Sequence, residues 1–364
     1  MDTLYLVSNT RNIQLFMSGS LKNCNLRIMH QAGYYAALPG NRFRCDLCPH
    51  QCLLTEGKPG QCKVRVVRNG KLVSENYGRL SAIATDPIEK KPLYHFYPGE
   101  KILSIGSVGC NMHCKNCQNE NISQCIDIMA DQLIHYSAKD IAEKAVKDPA
   151  RLFAFTYNEP TIYYEFMYDV AELLNKRGIV CVMVTNGYIM PKPLKNIIPL
   201  ISGFNVDLKF FQENIYRKMT GAGLKPVLNT LEQVKRSGQH LEITFLVIPG
   251  INDHPGEFKK MIDFIHENLG REQVFHLSRY FPRYKMNLPP TPIIKMLELR
   301  ILAKEKLDFV YLGNTGPEID SNTWCPSCGN LLIQRNYYTT TIVGMRDNTC
   351  KKCGTVIHGK FREQ

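Results

Sequence analysis

The stretch Ile102-Leu103-Ser104-Ile105-Gly106-Ser107-Val108-Gly109-Cys110-Asn111-Met112-His113-Cys114-Lys115-Asn116-Cys117-Gln118-Asn119 decides the fold. Its first part, Ile102–Ser107, is an apolar strand candidate. Its second part carries three thiols within eight residues, directly after that strand. Thiolates are soft ligands for iron–sulfur clusters, zinc or copper(I). A closed tetrahedral zinc site wants four ligands, and His113 is the residue at hand for the fourth. A four-iron cluster normally takes four cysteines, so three leave one iron open to a substrate or cofactor.

Further strand candidates follow at Leu152–Thr156, Ile179–Thr185, Gly203–Leu208, Leu241–Ile248, Val274–Tyr280 and Phe309–Leu312. Helical patterns lie between them. Ser137 and Asp140 have capping-box spacing, with Ile141 and Ala145 one turn apart. Thr161–Arg177 puts Ile162, Phe166, Val170 and Leu174 on one face, and Gly178 stops it. A third helix is bounded by Gly256 and Gly270. Repeated βα units predict a parallel sheet. About six such units suit a doubly wound sheet or a partial barrel, and in both the chemistry gathers where strands end and βα loops begin.

The 364 residues are 44% hydrophobic and 21% charged, which fits a globular chain rather than a disordered one. Fourteen cysteines are the outlier, and four Cys-x-x-Cys pairs stand where chance gives about 0.5. A disulfide framework belongs to short secreted chains. Asn9, Arg11 and Asn12 break the N-terminal apolar stretch, and no apolar run approaches a membrane span. The expectation is a cytoplasmic protein whose reduced thiols bind metal. The formal charge of +12 suits an anionic partner such as nucleic acid, or simply a basic surface. Between Arg42 and Lys101, eleven Lys/Arg face six Asp/Glu, without a clear aromatic stacking platform.

Two cysteine modules flank the centre. Cys45, Cys48, Cys52 and Cys62 supply four thiols in eighteen residues, with Pro49, Pro59 and Gly60 favouring tight turns. Four ligands close a zinc site or a full iron–sulfur cluster, and spacing does not choose between them; zinc is the preferred reading. Cys325, Cys328, Cys350 and Cys353 form two Cys-x-x-Cys-Gly knuckles around the β-prone run Tyr337–Val343. This is a zinc-ribbon pattern, suited to contacting a partner or capping the barrel. Cys24, Cys125 and Cys181 stand alone, and Cys181 reads as core.

Cys110-x3-Cys114-x2-Cys117 resembles the signature of radical S-adenosylmethionine (SAM) enzymes. The likeness extends to Thr156-Tyr157-Asn158-Glu159-Pro160-Thr161, Val184-Thr185-Asn186-Gly187, Asp207-Leu208-Lys209 and Val247-Ile248-Pro249-Gly250-Ile251-Asn252-Asp253. This set is similar to the pyruvate formate-lyase activating enzyme branch. Closer still is the AmmeMemoRadiSam system radical SAM enzyme, through the segments Cys45–Cys52, Asp86–Phe96 and His276–Pro282. The resemblance covers about residues 29–361. It begins near Met29, which predicts that Met29 is the native start or that 1–28 is poorly ordered. One departure is Asn116, where the superfamily commonly has an aromatic residue.

The resemblance implies an α/β chain with a partial (β/α)6 TIM-like barrel over 101–317. Ahead of it stands an N-terminal Cys-rich module over 29–100, and behind it a zinc-ribbon-like module over 318–364. It implies that Cys110, Cys114 and Cys117 bind a [4Fe-4S] cluster whose fourth iron takes the SAM amino and carboxylate groups. Asn158 and Glu159 would meet the SAM amino group, and Thr185 and Asn186 its ribose or carboxylate. Asp207 and Lys209 would meet its ammonium and carboxylate, and Ile248 would back its adenine. His276 and Arg279 would meet the SAM carboxylate or a substrate anion. A 5′-deoxyadenosyl radical would then abstract hydrogen from a small molecule or peptide. Competing expectations are a glycyl-radical enzyme activase, a radical-based RNA modification enzyme and a non-catalytic metal-binding adaptor. The implied partners are a one-electron donor such as flavodoxin or ferredoxin, and companion proteins of the Memo and AMMECR1 types.

Overall fold

Each apolar run of the central segment forms a strand within a residue or two of its expected bounds. The structure, a computed structural model, describes residues 30–124, 133–316 and 321–362. The expectation for 1–28, and the lone Cys24 and Cys125, fall outside them. In chain order the main sheet comprises β1 (Ala82–Pro87), β2 (Lys101–Gly106), β3 (Leu152–Phe155), β4 (Val180–Thr185), β5 (Gly203–Asp207), β6 (His240–Val247), β7 (Val274–Arg279) and β8 (Val310–Gly313). Among the described residues these eight pair in strict sequence order, β8 to β1. The pairs from β2 to β8 are parallel. A doubly wound sheet would break that order at a switch point, so the barrel topology holds. β1 runs antiparallel along the free edge of β2 and escaped the sequence reading.

The connecting helices are α1 (Ala138–Lys147), α2 (Tyr164–Asn175), α3 (Pro191–Ile197), α4 (Glu213–Thr220), α5 (Leu224–Arg236), α6 (Pro255–Leu269) and α7 (Ile293–Lys304). They complete six βα units, with β8 as a seventh parallel strand. Ser137 caps α1 through the expected capping box. α2 buries Phe166, Val170 and Leu174 and follows a 3-10 turn from Pro160 to Tyr163. Gly178, at φ 70°, takes the left-handed conformation that ends this unit.

Alternate residues of the strands serve two cores. Phe153, Phe155, Cys181 and Met183 join the large core with the helices. Leu152, Ala154, Val182 and Ile102 pack on the opposite face against Ile88, Leu93 and Phe96. The segment 88–96 therefore plugs the sheet's other face. Gly203 is required there, because a Cβ would stand 2.9 Å from the Phe96 ring. Asn205 Nδ2 donates to Pro92 O at 2.7 Å, fixing the plug to β5.

The C-terminal residues cover the same end. Leu332, Ile333, Met345 and Ile357 share a core with Val274, Phe309 and Tyr311. Arg335 donates to Tyr94 O at 2.7 Å and lies 4.4 Å over its ring. Of the two roles open to the ribbon-like module, capping is thus visible. At the N-terminal side, Tyr35–Leu38, Arg42–Cys45 and Leu53–Leu54 form a small antiparallel sheet, and His30–Gln31, Lys71–Ser74 and Arg65–Arg68 form another.

Candidate active site

The loop after β2 departs from its strand through Gly109, whose φ of 90° turns the chain. Asn158, at the tip of β3, grips both sides of that turn. Its Oδ1 accepts from Ser107 N at 2.9 Å, and its Nδ2 donates to Gly109 O at 2.9 Å. Past the turn, Asn111 Nδ2 donates to Tyr188 O at 2.7 Å, and Asn186 Nδ2 donates to Asn111 Oδ1 at 2.9 Å. His113 N and Lys115 N donate to Thr220 O and Met219 O at the end of α4. Gln124 Nε2 donates back to Met112 O at 2.9 Å. The three-thiol loop is thereby tied to the ends of β3, β4 and α4. Asn111 and Met112 are fully buried beneath it.

Burial and the Glu159 carboxylate push the Cys110 thiol up. Burial pushes up the Cys114 thiol, against the opposing charge of Lys209. Burial pushes Cys117 up to about 11. Met112 N donates to Cys110 Sγ at 3.3 Å, and Asn186 Nδ2 approaches it at 3.8 Å. All three thiols are free of disulfides. Asn116 Oδ1 between them is buried without a hydrogen-bond partner. Three soft donors around one loop, with an unsatisfied polar atom among them, fit an iron–sulfur cluster held by three irons.

Glu159 is buried and saturated by protein donors. Its Oε1 accepts from Thr161 N at 2.9 Å and Thr185 Oγ1 at 2.7 Å, and its Oε2 accepts from Asn186 N at 2.8 Å. Burial raises its pKa, and these hydrogen bonds oppose the shift. Lys209 Nζ pairs with Asp207 at 2.9 Å. Burial works to lower the Lys209 pKa, but Asp207 and Cys114 outweigh it and hold the ammonium charged. Ile248 is buried and donates its N–H to Asn252 Oδ1 at 2.6 Å, and Asn252 Nδ2 reaches Lys209 O at 3.2 Å.

Thus Cys110, Cys114, Cys117, Asn158, Glu159, Thr185, Asn186, Asp207 and Lys209 converge, with Ile248 on the adjoining turn. Arg279 lies at the rim, donating to Thr291 O at 2.7 Å and lying over Phe281. The loop that follows it returns to the thiols through Lys285 N and Lys115 O at 3.0 Å. His276 is placed differently. It meets Glu242 Oε2 at 2.6 Å, in a buried set with His240 beside the plug.

Asn111 and Tyr157 were not singled out from sequence. Asn111 carried no motif signal beyond its position between ligands. Tyr157 has φ 70°, rare for a non-glycine residue, and its hydroxyl donates to Asp86 at 2.8 Å. Asp86 also pairs with the buried Lys91 at 2.8 Å, and Lys91 lies 4.5 Å over the Tyr157 ring. The quoted segment Asp86–Phe96 was the available signal.

At the C-terminus, Cys325, Cys328, Cys350 and Cys353 place their sulfurs within 4.8 Å of one another. The separations are 3.5 Å for Cys325/Cys353 and 3.8 Å for Cys328/Cys350. Four thiolates about 2.3 Å from one ion stand about 3.8 Å apart, so this site fits a single tetrahedral metal. Gly329 and Gly354 both adopt positive φ, 67° and 75°, as the two knuckles require. Cys181 is buried in β4, as expected for core. No helix among the described residues is long and apolar enough to cross a membrane.

The profile of the radical SAM superfamily matches residues 104–265. The chain is 40% identical over 335 residues to an uncharacterised protein of Methanocaldococcus jannaschii, covering 90% of this chain and 99% of that one. It is 23% identical over 206 residues to the pyruvate formate-lyase-activating enzyme of Clostridium pasteurianum, covering 54% of this chain and 83% of that one. Among solved structures, it is similar to SuiB of Streptococcus suis bound to S-adenosylmethionine. There the TM-score is 0.48 at 14% identity, over 64% of this chain and 55% of that one.

Proposed function

The chain belongs to the radical SAM superfamily and is distantly related to pyruvate formate-lyase-activating enzymes, and from that premise we propose that it abstracts hydrogen from a small-molecule or peptide substrate. A [4Fe-4S] cluster and SAM, when bound, supply a 5′-deoxyadenosyl radical by one-electron cleavage of the sulfonium. Cys110, Cys114 and Cys117 would each hold one iron and leave the fourth for the SAM amino and carboxylate groups. The observation that carries this reading is the anchored thiol loop with the Asp207–Lys209 pair in charge range of Cys114.

The remaining residues bind and orient. Asp207 offers a carboxylate to the SAM ammonium, and Lys209 offers an ammonium to its carboxylate. Ile248 supplies an apolar surface for the adenine. Glu159 already satisfies three protein donors, so its contribution is to fix Thr185 and Asn186 against the thiol loop. Arg279 at the rim would attract an anionic group of SAM or substrate. His276, committed to Glu242, supports the plug.

Within the superfamily we assign the chain to the AmmeMemoRadiSam type, on the segments Cys45–Cys52, Asp86–Phe96 and His276–Pro282. That assignment implies companions of the Memo and AMMECR1 types, and a flavodoxin or ferredoxin as electron donor. The C-terminal four-cysteine site would hold structural zinc, in keeping with its sulfur spacing. Activation of a glycyl-radical enzyme is the second reading, favoured by the activating enzymes among the relatives.

Anaerobic reconstitution followed by dithionite and SAM tests the leading reading. It expects 5′-deoxyadenosine from the native chain and none from Cys114→Ala. An intact cluster that forms no 5′-deoxyadenosine would defeat it. Lys209→Met should retain iron while weakening SAM binding at least tenfold.

A further inference from the structure

Tyr157 stands where glycine would be easier. Its φ is 70°, and Asn158 N donates to Thr156 O at 3.0 Å across it. A three-residue turn closed in this way, with positive φ at its centre, is the rare and strained form of γ-turn. Glycine takes a positive φ without steric cost, and a tyrosine does not. The neighbouring strand makes room for the side chain by the opposite choice. Gly106 ends β2, and a Cβ there would stand 2.9 Å from Tyr157 Cβ and 3.0 Å from Tyr157 Cδ2. Strain of this kind persists only where surrounding contacts over-determine it.

Two sets of contacts do so. On the side of the thiol loop, Asn119 Nδ2 donates to Tyr157 O, two residues beyond Cys117. Asn158, the next residue, bonds Ser107 N and Gly109 O on either side of the bend before Cys110. On the side of the plug, Tyr157 Oη donates to Asp86 Oδ2 at 2.8 Å. Lys91, within the plug, donates to the same oxygen at 2.8 Å and lies 4.5 Å over the Tyr157 ring. Lys90 meets the other Asp86 oxygen at 3.2 Å. Burial works to raise the Asp86 pKa, but Lys91 and the hydrogen bonds from Lys91 and Tyr157 outweigh it and keep the carboxylate ionised. An ionised acceptor strengthens the bond from the phenol. The plug is itself fixed to the barrel wall, by Asn205 at Pro92 O and by Glu242 at Tyr94 N and His95 N. One side chain therefore joins this fixed plug to the turn that grips the thiol loop.

We propose that Tyr157 is a positioning residue of the radical-forming site, whose phenol, pinned to Asp86, fixes the γ-turn that aims Asn158 at the thiol loop. It acts through other groups. The phenol sets the turn, while Asn158 and the Tyr157 carbonyl hold the loop at Ser107, Gly109 and Asn119. A backbone that needed only the turn would be served by glycine; the tyrosine is explained by the link it makes to the plug. The same turn leads into the segment assigned above to the SAM amino group, so it bears on cofactor geometry as well. That second consequence rests on the proposed radical SAM reading, and the hold on the loop does not.

The full chain, native and as Tyr157→Phe and Tyr157→Gly, is reconstituted anaerobically with ferrous iron and sulfide. Tyr157→Phe keeps the ring and removes the hydroxyl. Tyr157→Gly removes the backbone strain together with the side chain. Hydrogen–deuterium exchange is read before SAM is added, over residues 107–119 and, as a control, over β7. The proposal expects both variants to exchange roughly fivefold faster at 107–119, as loss of a charge-assisted bond implies, with β7 and the far-ultraviolet circular dichroism native. SAM is then titrated onto the reduced cluster and followed by electron paramagnetic resonance. The expected result is a dissociation constant raised roughly fivefold in both variants, with an altered line shape. Native protection and native affinity in Tyr157→Gly would show that the turn needs no side chain and would overturn the proposal. The same result in Tyr157→Phe would overturn it equally, since the hydroxyl would then be idle. If Tyr157→Gly does not fold, Tyr157→Phe decides alone. An intact native cluster that takes up no SAM defeats the radical SAM reading, while exchange at 107–119 still decides the part played by Tyr157.

Discussion

Asn186 Nδ2 donates to Asn111 Oδ1 at 2.9 Å, joining the end of β4 to the middle of the thiol loop. Asn111 passes the constraint on through Tyr188 O and, on its own carbonyl, His50. Asn111 is fully buried, so its amide must be paired within the protein. Asn111→Ala should leave Asn186 Nδ2 and Tyr188 O without their partner, costing about 1–3 kcal/mol. Iron content after reconstitution should fall while far-ultraviolet circular dichroism stays native. An unchanged iron content and unfolding midpoint would show that the loop does not depend on this bond.

Glu159 makes a different prediction from the one its place in the motif suggests. Three donors point at its carboxylate: Thr161 N, Thr185 Oγ1 and Asn186 N. Glu159→Gln substitutes an NH2 group for one oxygen, turning a donor toward donors. The expected result is lost stability of about 2 kcal/mol, read by urea unfolding before any SAM is added. Thr185→Val should cost less, since only one donor is removed. If Glu159→Gln unfolds like the native chain and only SAM binding suffers, the carboxylate acts on the ligand and not on the strand ends.

The barrel was legible because several parallel strands are apolar on both faces and some helices carry their own glycine stop. Leu152–Phe155 and Val180–Thr185 show the first property, and Gly178 and Gly270 the second. The ligand cysteines were legible because their spacing is local. β1 was hidden for a physical reason: Ala82–Pro87 is an edge strand with exposed Ala84 and Thr85, so it lacks the buried alternation. The plug was hidden because Phe96 meets Gly203 and Pro92 meets Asn205 across more than a hundred residues of chain. His276 shows the limit of motif transfer. The segment resemblance implied a contact with the SAM carboxylate or a substrate anion, while the partner that His276 meets in the structure, Glu242, sits on another strand.

The C-terminal site predicts a metal effect confined to the barrel's far end. Cys325 and Cys350 are buried in a core with Leu332, Ile333 and Met345, whereas Cys353 is exposed. Cys353→Ser should reduce zinc by about one equivalent per chain and lower the thermal midpoint, because metal binding and folding of so small a module are coupled. Iron content should not change, since the thiol loop is anchored at the opposite strand ends. Loss of iron together with zinc would show that the two ends are linked more tightly than their contacts indicate.

His95 predicts the sign of the protein's acid response. Its Nε2 lies 2.6 Å from Tyr311 Oη, and its Nδ1 lies 2.7 Å from His358 O. A neutral ring with its proton on Nδ1 satisfies both, accepting from the tyrosine and donating to the carbonyl. Burial pushes its pKa down to about 3, with Arg335 and His240 acting in the same direction and Glu242 against it. Unfolded, the ring would titrate near 6.5. Between those values the unfolded chain binds a proton that the folded chain refuses, so stability falls as pH falls from 6.5. The slope contributed is about 1.4 kcal/mol per pH unit at most. Glu242, held well below the carboxylate range despite burial by its histidine hydrogen bonds, adds the same sign only below about 4.5. His358, also lowered by burial, acts in the upper window, so the comparison must be made against a variant. His95→Gln should be less stable at pH 7 yet lose less on acidification to pH 5, measured by urea unfolding at each pH. Equal losses in the two proteins would place the acid response elsewhere.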